Sequence, residues 1–274
     1  MAIVITVAIE KGGVGKTATA TNLAALMAME GKKVLAVDMD GQANTTYMLT
    51  GKKKIDGAFK NHGVFDMLRA YELVSPRNFI APTNIPGLDI LPSNTDTPQA
   101  IGQLEALSNT KGESENVFLA YCLAEVADAY DYIIIDTPPA RDTLTSAALY
   151  ASDYVLIPLK CDDLAVEGLQ TTYSFMRKLE QKEEIEIKLL GIVLTIVERT
   201  ALTTAIRDEL QDSEFKNDML KTVIRKSQAV SDSTRLGAPV VICLKNSNPS
   251  KDYRALYEEL KKRIRKMERS TANG

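Results

Sequence analysis

Seven short runs rich in β-branched residues recur along the chain, at Ile3 to Ala8, Val34 to Asp38, Leu88 to Leu91, Tyr132 to Asp136, Tyr154 to Pro158, Leu189 to Val197 and Val240 to Leu244. Helix-like stretches separate most of them. Runs such as IVITVA, VLAVD and YIIID are apolar on both alternating faces. A strand needs that pattern when helices cover both sides of its sheet. The alternation predicts an α/β fold with a doubly wound, mostly parallel sheet and helices on both faces. In such sheets ligands bind beyond the carboxyl ends of the strands, so residues just after Ala8, Val37 and Ile135 are expected to converge on one crevice.

A composition of 45% hydrophobic and 25% charged residues is that of a folded chain, and one domain across residues 1–274 is the expectation. A net charge of -3 excludes a protein that coats nucleic acid over its whole surface, so any such surface must be local. Cys122, Cys161 and Cys243 lack CxxC spacing, which argues against a disulfide framework or a zinc site and for buried free thiols. The opening MAIVITVAIEKGG is too short to span a membrane and has no basic leader, which predicts an unprocessed cytoplasmic protein. Residues 51–63, GKKKIDGAFKNHG, read as an exposed loop with Lys52 to Lys54 as a solvated face and His62 without a catalytic role.

Directly after the first run comes Lys11-Gly12-Gly13-Val14-Gly15-Lys16-Thr17, and Ala18 to Met29 then reads as a helix. Strand, glycine loop and helix is the context of a phosphate-binding loop. Glycines let successive amides turn inward around a phosphate, and the helix N-terminus adds partial positive charge. Lys11, Gly12, Gly13, Val14, Gly15, Lys16, Thr17 and Ala18 are therefore the candidate nucleotide-binding residues, with Lys16 reaching the outer phosphates and Thr17 offering its hydroxyl to magnesium. Where the usual loop has a glycine five residues before Gly15, this chain has Glu10, with Lys11 beside it. The second run ends Val37-Asp38-Met39-Asp40-Gly41-Gln42-Ala43-Asn44, two carboxylates on one side of a strand that repel unless a cation offsets them. The run Tyr132 to Asp136 ends in an acid and is stopped by Pro138 and Pro139.

KGGVGKT resembles the deviant Walker A motif of the ParA and MinD class of ATPases. The resemblance implies that Lys11 reaches the phosphates bound by a second subunit, so that two chains sandwich two ATP molecules. Glu10 stands where the family commonly has an amide residue, and Gly41 where proline is frequent. By the same match Asp40 would orient the attacking water, Asp38 would help to hold the magnesium shell, and Asp136 would be the Walker B carboxylate that contacts the metal. Lys11, Lys16 and Asp40 are then the catalytic set, and Thr17, Asp38 and Asp136 the metal set. Leu91-Pro92-Ser93-Asn94, the Leu144 to Pro158 stretch, Glu167-Gly168-Leu169 and Gly237-Ala238-Pro239-Val240 are similar to ParA landmarks in order.

The branch of the family is read from the C-terminus. Tyr253, Leu256, Tyr257, Leu260, Ile264 and Met267 follow helical spacing, but two tyrosines and few large aliphatics make a poor membrane wedge, so the stripe is expected to cover the domain. The cysteines do not fall where nitrogenase iron proteins place cluster ligands. Residues 251–269 hold eight basic and four acidic residues, a local charge of +4. Lys262, Arg265 and Lys266 in the basic helix, expected at about 250–269, are candidate DNA contacts, as is Lys226, which resembles a family DNA-binding arginine. The implied protein uses ATP and magnesium, forms a homodimer on ATP, associates with the nucleoid through non-specific DNA binding and is stimulated by a centromere-binding, ParB-like partner. A MinD-like membrane ATPase and an ATP-dependent small-molecule ligase are the alternatives.

Overall fold

The computed structural model describes residues 2–272, in which the apolar runs assemble into one sheet of eight strands. These are β1 (Ile3–Val7), β2 (Val34–Asp38), β3 (Ala81–Pro82), β4 (Leu88–Leu91), β5 (Tyr132–Asp136), β6 (Tyr154–Lys160), β7 (Lys188–Val197) and β8 (Met219–Arg225), in the order β3-β4-β2-β5-β1-β6-β7-β8. Every neighbouring pair is parallel except β3 with β4. The helices are α1 (Lys16–Met29), α2 (Asn44–Thr50), α3 (Val64–Arg69), α4 (Ala100–Lys111), α5 (Val117–Ala124), α6 (Thr143–Tyr150), α7 (Ala165–Glu183), α8 (Ala201–Gln211), α9 (Gln228–Leu236), α10 (Val240–Cys243) and α11 (Asn248–Ala272).

Alternation along the strands divides the apolar residues between the two faces. Val34, Ala36 and Ile134 enter one core with residues of α1, α10 and α11, while Leu35, Val37, Ile133 and Ile135 enter another with residues of α3 to α6. A third core joins β6 and β7 to α7 and α8. The doubly wound architecture read from the sequence is thus present, with both faces covered.

One predicted strand is a helix. Val240 to Leu244 was expected to extend the sheet, but Val240–Cys243 is the short α10, whose Val241 amide donates to Asn22 Oδ1 of α1 at 3.0 Å. An apolar run of five residues does not by itself separate a buried strand from a buried helical turn. The edge position belongs instead to β8, MLKTVIR, whose mixed polarity hid it because only part of it is buried. Strand β6 holds Pro158 beyond the end of its pairing with β1, which stops at Leu156, so there it has a strand neighbour on one side only. A proline's missing N–H is tolerated at such a place.

Helix α11 closes the β8 edge. Tyr253, Leu256, Tyr257, Leu260 and Ile264 are buried, and the side chains between them fasten the helix to the sheet. Glu259 accepts from the Lys221 and Thr222 amides at 2.7 and 2.9 Å, and Asp252 accepts from the Arg225 amide at 3.1 Å. These carboxylates satisfy backbone donors that an edge strand otherwise leaves open. The apolar stripe therefore covers the domain, and no helix among the described residues is long and apolar enough to cross a membrane.

Leu260→Ala is expected to lower unfolding free energy by about 2–5 kcal/mol, through lost burial and a residual cavity. Lys262→Ala, on the exposed side of the same helix, should change it by less than about 0.5 kcal/mol. Urea denaturation followed by circular dichroism distinguishes the two.

Candidate functional site

The phosphate loop turns at positions that need glycine. Gly13 and Gly15 have φ of 71° and 88°, and Gly15 is the N-cap of α1. Lys16 folds back over the loop, donating to the carbonyls of Ile9 at 3.1 Å and Lys11 at 2.9 Å. Burial holds its amine below the usual lysine range, against the opposing pull of Asp136 and Asp40. The loop is pinned from β7, two places away from β1 in the sheet, by Thr195, whose hydroxyl donates to the Val14 carbonyl at 2.7 Å. Thr195 escaped the sequence reading. Its signal was a single hydroxyl residue inside the apolar GIVLTIV.

Beside the loop, Asp38 and Asp136 occupy paired positions on β2 and β5. Both carboxyls are buried, and burial is the main reason that Asp38 is raised to about 8 and Asp136 to about 6; at Asp38 the neighbouring Asp136 charge adds to it. Three threonine hydroxyls answer this cost. Thr46 donates to Asp38 Oδ2 through its hydroxyl at 2.7 Å and its amide at 2.8 Å, and Thr17 and Thr45 each donate to Asp136 Oδ2 at 2.7 Å. Asp136 Oδ1 is buried with no hydrogen-bond partner among the described residues. An acceptor left in that condition suits a cation or the water around one. Among the described residues there is no group of three or more His, Cys, Asp or Glu able to cage a metal. One hydroxyl and one carboxylate instead suit magnesium, which keeps waters and shares phosphate oxygens.

Asp40 lies further forward, half-exposed on the cleft, with Oδ1 accepting from the Gln42 amide at 2.9 Å. The cleft has a volume of about 690 Å³ and is lined by Gly12, Lys16, Thr17 and Asp40 on one side and by Ile224 and Val230 on the other. That volume is in the range of a nucleotide-sized ligand. Asp38 stays behind this surface. Its Oδ1 accepts from the Asp40 amide at 3.2 Å and its Oδ2 from Thr46, so it shapes the segment that carries Asp40.

Lys11 forms an ion pair with Asp162 of its own chain, and Asp162 also meets Lys160 at 3.3 Å. The overrun of β6 past β1 carries Asp162 to this point. Glu10, the departure from the usual loop, has a partner of its own in Arg141 at 2.9 Å, just beyond the prolines that end β5. Lys226 lies on the rim of the cleft and pairs with Glu198 at 3.0 Å. On α11, Lys261 is bonded to Glu30 and Arg263 to Asp218, whereas Lys262, Arg265, Lys266 and Arg269 are exposed along one face with no ion pair among the described residues.

Two minor expectations need correction. The Lys52 to Lys54 run is not simply solvated, because Lys54 donates to the Gly41 carbonyl at 2.9 Å and to Gln42 Oε1 at 3.2 Å. Of the three thiols only Cys122 is buried; Cys161 and Cys243 are partly exposed. His62 packs against the rings of Phe59 and Phe79, away from the cleft residues.

The raised carboxyls make stability depend on pH in a stated direction. Folded Asp38 and Asp136 hold protons that an unfolded aspartate, near 3.8, has released. Their contribution is therefore greatest at low pH, declines as pH rises through about 6 and then about 8, and is flat above. In chelator, Asp38→Asn should flatten the decline in denaturation midpoint between pH 6 and pH 8.5. An equally steep decline in that variant would remove Asp38 as its source.

Residues 2–189 match the family described as the AAA domain. The chain is 33% identical over 261 residues to the sporulation initiation inhibitor protein Soj of Bacillus subtilis, covering 95% of this chain and 98% of that protein. A putative plasmid partition protein from Borrelia burgdorferi B31, solved bound to AMPPNP, superposes with a TM-score of 0.75 at 28% identity, covering 97% of this chain and 100% of that one. Cobyrinic acid a,c-diamide synthase from Mycobacterium smegmatis, solved with ADP and magnesium, gives a TM-score of 0.78 at 26% identity over 94% of this chain and 93% of that one. With a phosphate loop of this form and full-length likeness to a Soj protein, the chain belongs to the ParA/Soj family of partition ATPases.

Proposed function

We propose that this chain hydrolyses ATP, dimerises around it, and in that state binds DNA without sequence preference so as to partition or position plasmid or chromosomal DNA. The observation that carries the catalytic part is the meeting of Lys16, Thr17 and Asp40 on one cleft, in front of an Asp136 oxygen that has no partner among the described residues. Lys16 would leave the Ile9 and Lys11 carbonyls for the β and γ phosphates, and the amides from Lys11 to Ala18 would wrap them. Thr17 and Asp136 would hold magnesium, whose charge offsets that of the transferring phosphoryl group, with Asp38 supporting the neighbouring Asp40 segment. Asp40 would orient the attacking water. Lys11 would exchange Asp162 for phosphates in a second subunit, which makes dimerisation depend on ATP.

The unpaired basic face of α11 supports the DNA part, and a DNA-bound, ParB-like protein would stimulate turnover. Lys226 is a further candidate contact, although its pairing with Glu198 and its place on the rim tie it to the cleft. Likeness to a diamide synthase favours one rival, an ATP-dependent ligase. DNA that raises ATP turnover, with metabolite mixtures having no effect, separates the two.

Lys16→Ala should abolish measurable ATP binding by calorimetry. Asp40→Ala should bind ATP and form the dimer in sedimentation while turnover falls by about a hundredfold. In that background, charge reversal at Lys262, Arg265 and Lys266 should weaken binding to unrelated duplexes alike and flatten the log-log salt dependence by about 0.9 for each lost phosphate contact. Unchanged affinity and slope at matched salt would move the DNA site elsewhere.

A further inference from the structure

The segment carrying Asp40 is followed by Gly41, the residue with the widest backbone freedom, yet an oriented water needs a carboxylate held within a fraction of an ångström. The restraint comes from outside the segment. Ser93 Oγ donates to the Asp40 carbonyl at 2.7 Å, and Ser93 is itself held by Thr97 at 2.9 Å. Lys54, from the 51–63 loop, donates to the Gly41 carbonyl at 2.9 Å and to Gln42 Oε1 at 3.2 Å. Pro98 lies against Gly41 so closely that a Cβ there would sit 2.7 Å from its Cγ and 3.0 Å from its Cδ. A pyrrolidine ring cannot swing aside as the end of a flexible side chain can. Glycine at 41 is therefore a requirement of the contact with Pro98.

We propose that Lys54 and Pro98 are positioning residues for the hydrolysis step, clamping the Asp40 to Gln42 turn from two sides. Lys54 ties down both the carbonyl and the side chain that follow Asp40, and Pro98 fills the space into which a side chain at position 41 would project. Neither side chain lines the cleft formed by Lys16, Thr17 and Asp40. Lys53 lies over the ring of Tyr47 at 5.6 Å, which ties the loop to α2 just before Lys54, and Lys52 lies over Phe59 of the same loop at 5.1 Å.

This inference rests on the reading of Asp40 as the residue that orients water, and its test separates the two. Lys54→Met keeps the aliphatic stem and removes the donors; Lys54→Arg keeps a donor; Pro98→Ala opens the space over Gly41. Amide hydrogen exchange of the peptide over residues 39–43, measured without nucleotide, should be faster in Lys54→Met and Pro98→Ala and near wild type in Lys54→Arg. With ATP and magnesium, Lys54→Met should lower kcat by about tenfold with KM within about twofold, and Lys54→Arg should restore most of it. Wild-type exchange in both Lys54→Met and Pro98→Ala overturns the clamp. Faster exchange with unchanged kcat, in a protein whose Asp40→Ala variant is inactive, overturns its role in hydrolysis. If Asp40→Ala retains full turnover, the reading of Asp40 fails, and the exchange rates alone still decide the clamp.

Discussion

Two carboxyls on adjacent strands, Asp38 on β2 and Asp136 on β5, are the constraint around which the rest of the cleft is arranged. Parallel pairing puts them side by side at the carboxyl end of the sheet, where neither water nor distance relieves their repulsion. The fold answers with the two segments that follow β1 and β2. Helix α1 brings Thr17 to Asp136, and α2 brings Thr45 to Asp136 and Thr46 to Asp38. For α2 to begin there, Ala43 takes a left-handed conformation with φ of 56°. A non-glycine residue in that region carries backbone strain. The strain is offset because the turn delivers two hydroxyls and one amide to two buried acids.

The phosphate loop depends on the same ends of strands from the other direction. Thr195 of β7 takes the Val14 carbonyl, so the loop is fastened to a strand two places away in the sheet. Strand β6 runs on past β1 and carries Asp162 to Lys11. The side chain of Lys11 is drawn to Asp162, just past the end of β6, whereas Lys16 is drawn back by the carbonyls of Ile9 and Lys11. The two lysines of one short motif thus start from opposite sides of it. On the proposed function, Lys16 would serve the nucleotide of its own chain, and Lys11 would have to leave Asp162 to reach that of a second subunit.

Most of this was legible in the sequence where the requirement is local. A glycine loop between a strand and a helix, and acids at strand ends, are set by a few neighbouring residues, and the fold brings Lys16, Thr17 and Asp40 onto one cleft with Asp136 hydrogen-bonded to Thr17. What escaped depends on pairings between distant segments. Thr195 and Ser93 act on Val14 and Asp40 from far along the chain, and no spacing rule connects them. Strand β8 was missed and α10 misread for a related reason. At the sheet edge one face is covered by α11 and the other is partly open, so polarity there reports the cover and not the strand. Glu10 and Gly41 looked like isolated departures, yet each has a specific neighbour, Arg141 and Pro98, that only the folded chain brings to it.

Helix α11 separates its duties by face, and the separation bears on why its charges are there. Lys261 and Arg263 are spent on Glu30 and Asp218, contacts that set how the helix sits on α1 and β8. Lys262, Arg265, Lys266 and Arg269 make no ion pair among the described residues. Like charges three and four residues apart on a helix repel by about 0.2–0.5 kcal/mol a pair, so this row lowers the helix's own stability. The packing of the sheet does not ask for it, since the buried stripe lies on the opposite side and the carboxylates that cap β8 lie between the two. A polyanion laid along the row would convert that repulsion into attraction and, by displacing its own counterions, would bind more weakly as salt rises. On the proposed DNA-binding function the cost of the row in the free protein would be recovered on binding, and the row sits on the helix that contacts α1 directly, one element away from the phosphate loop.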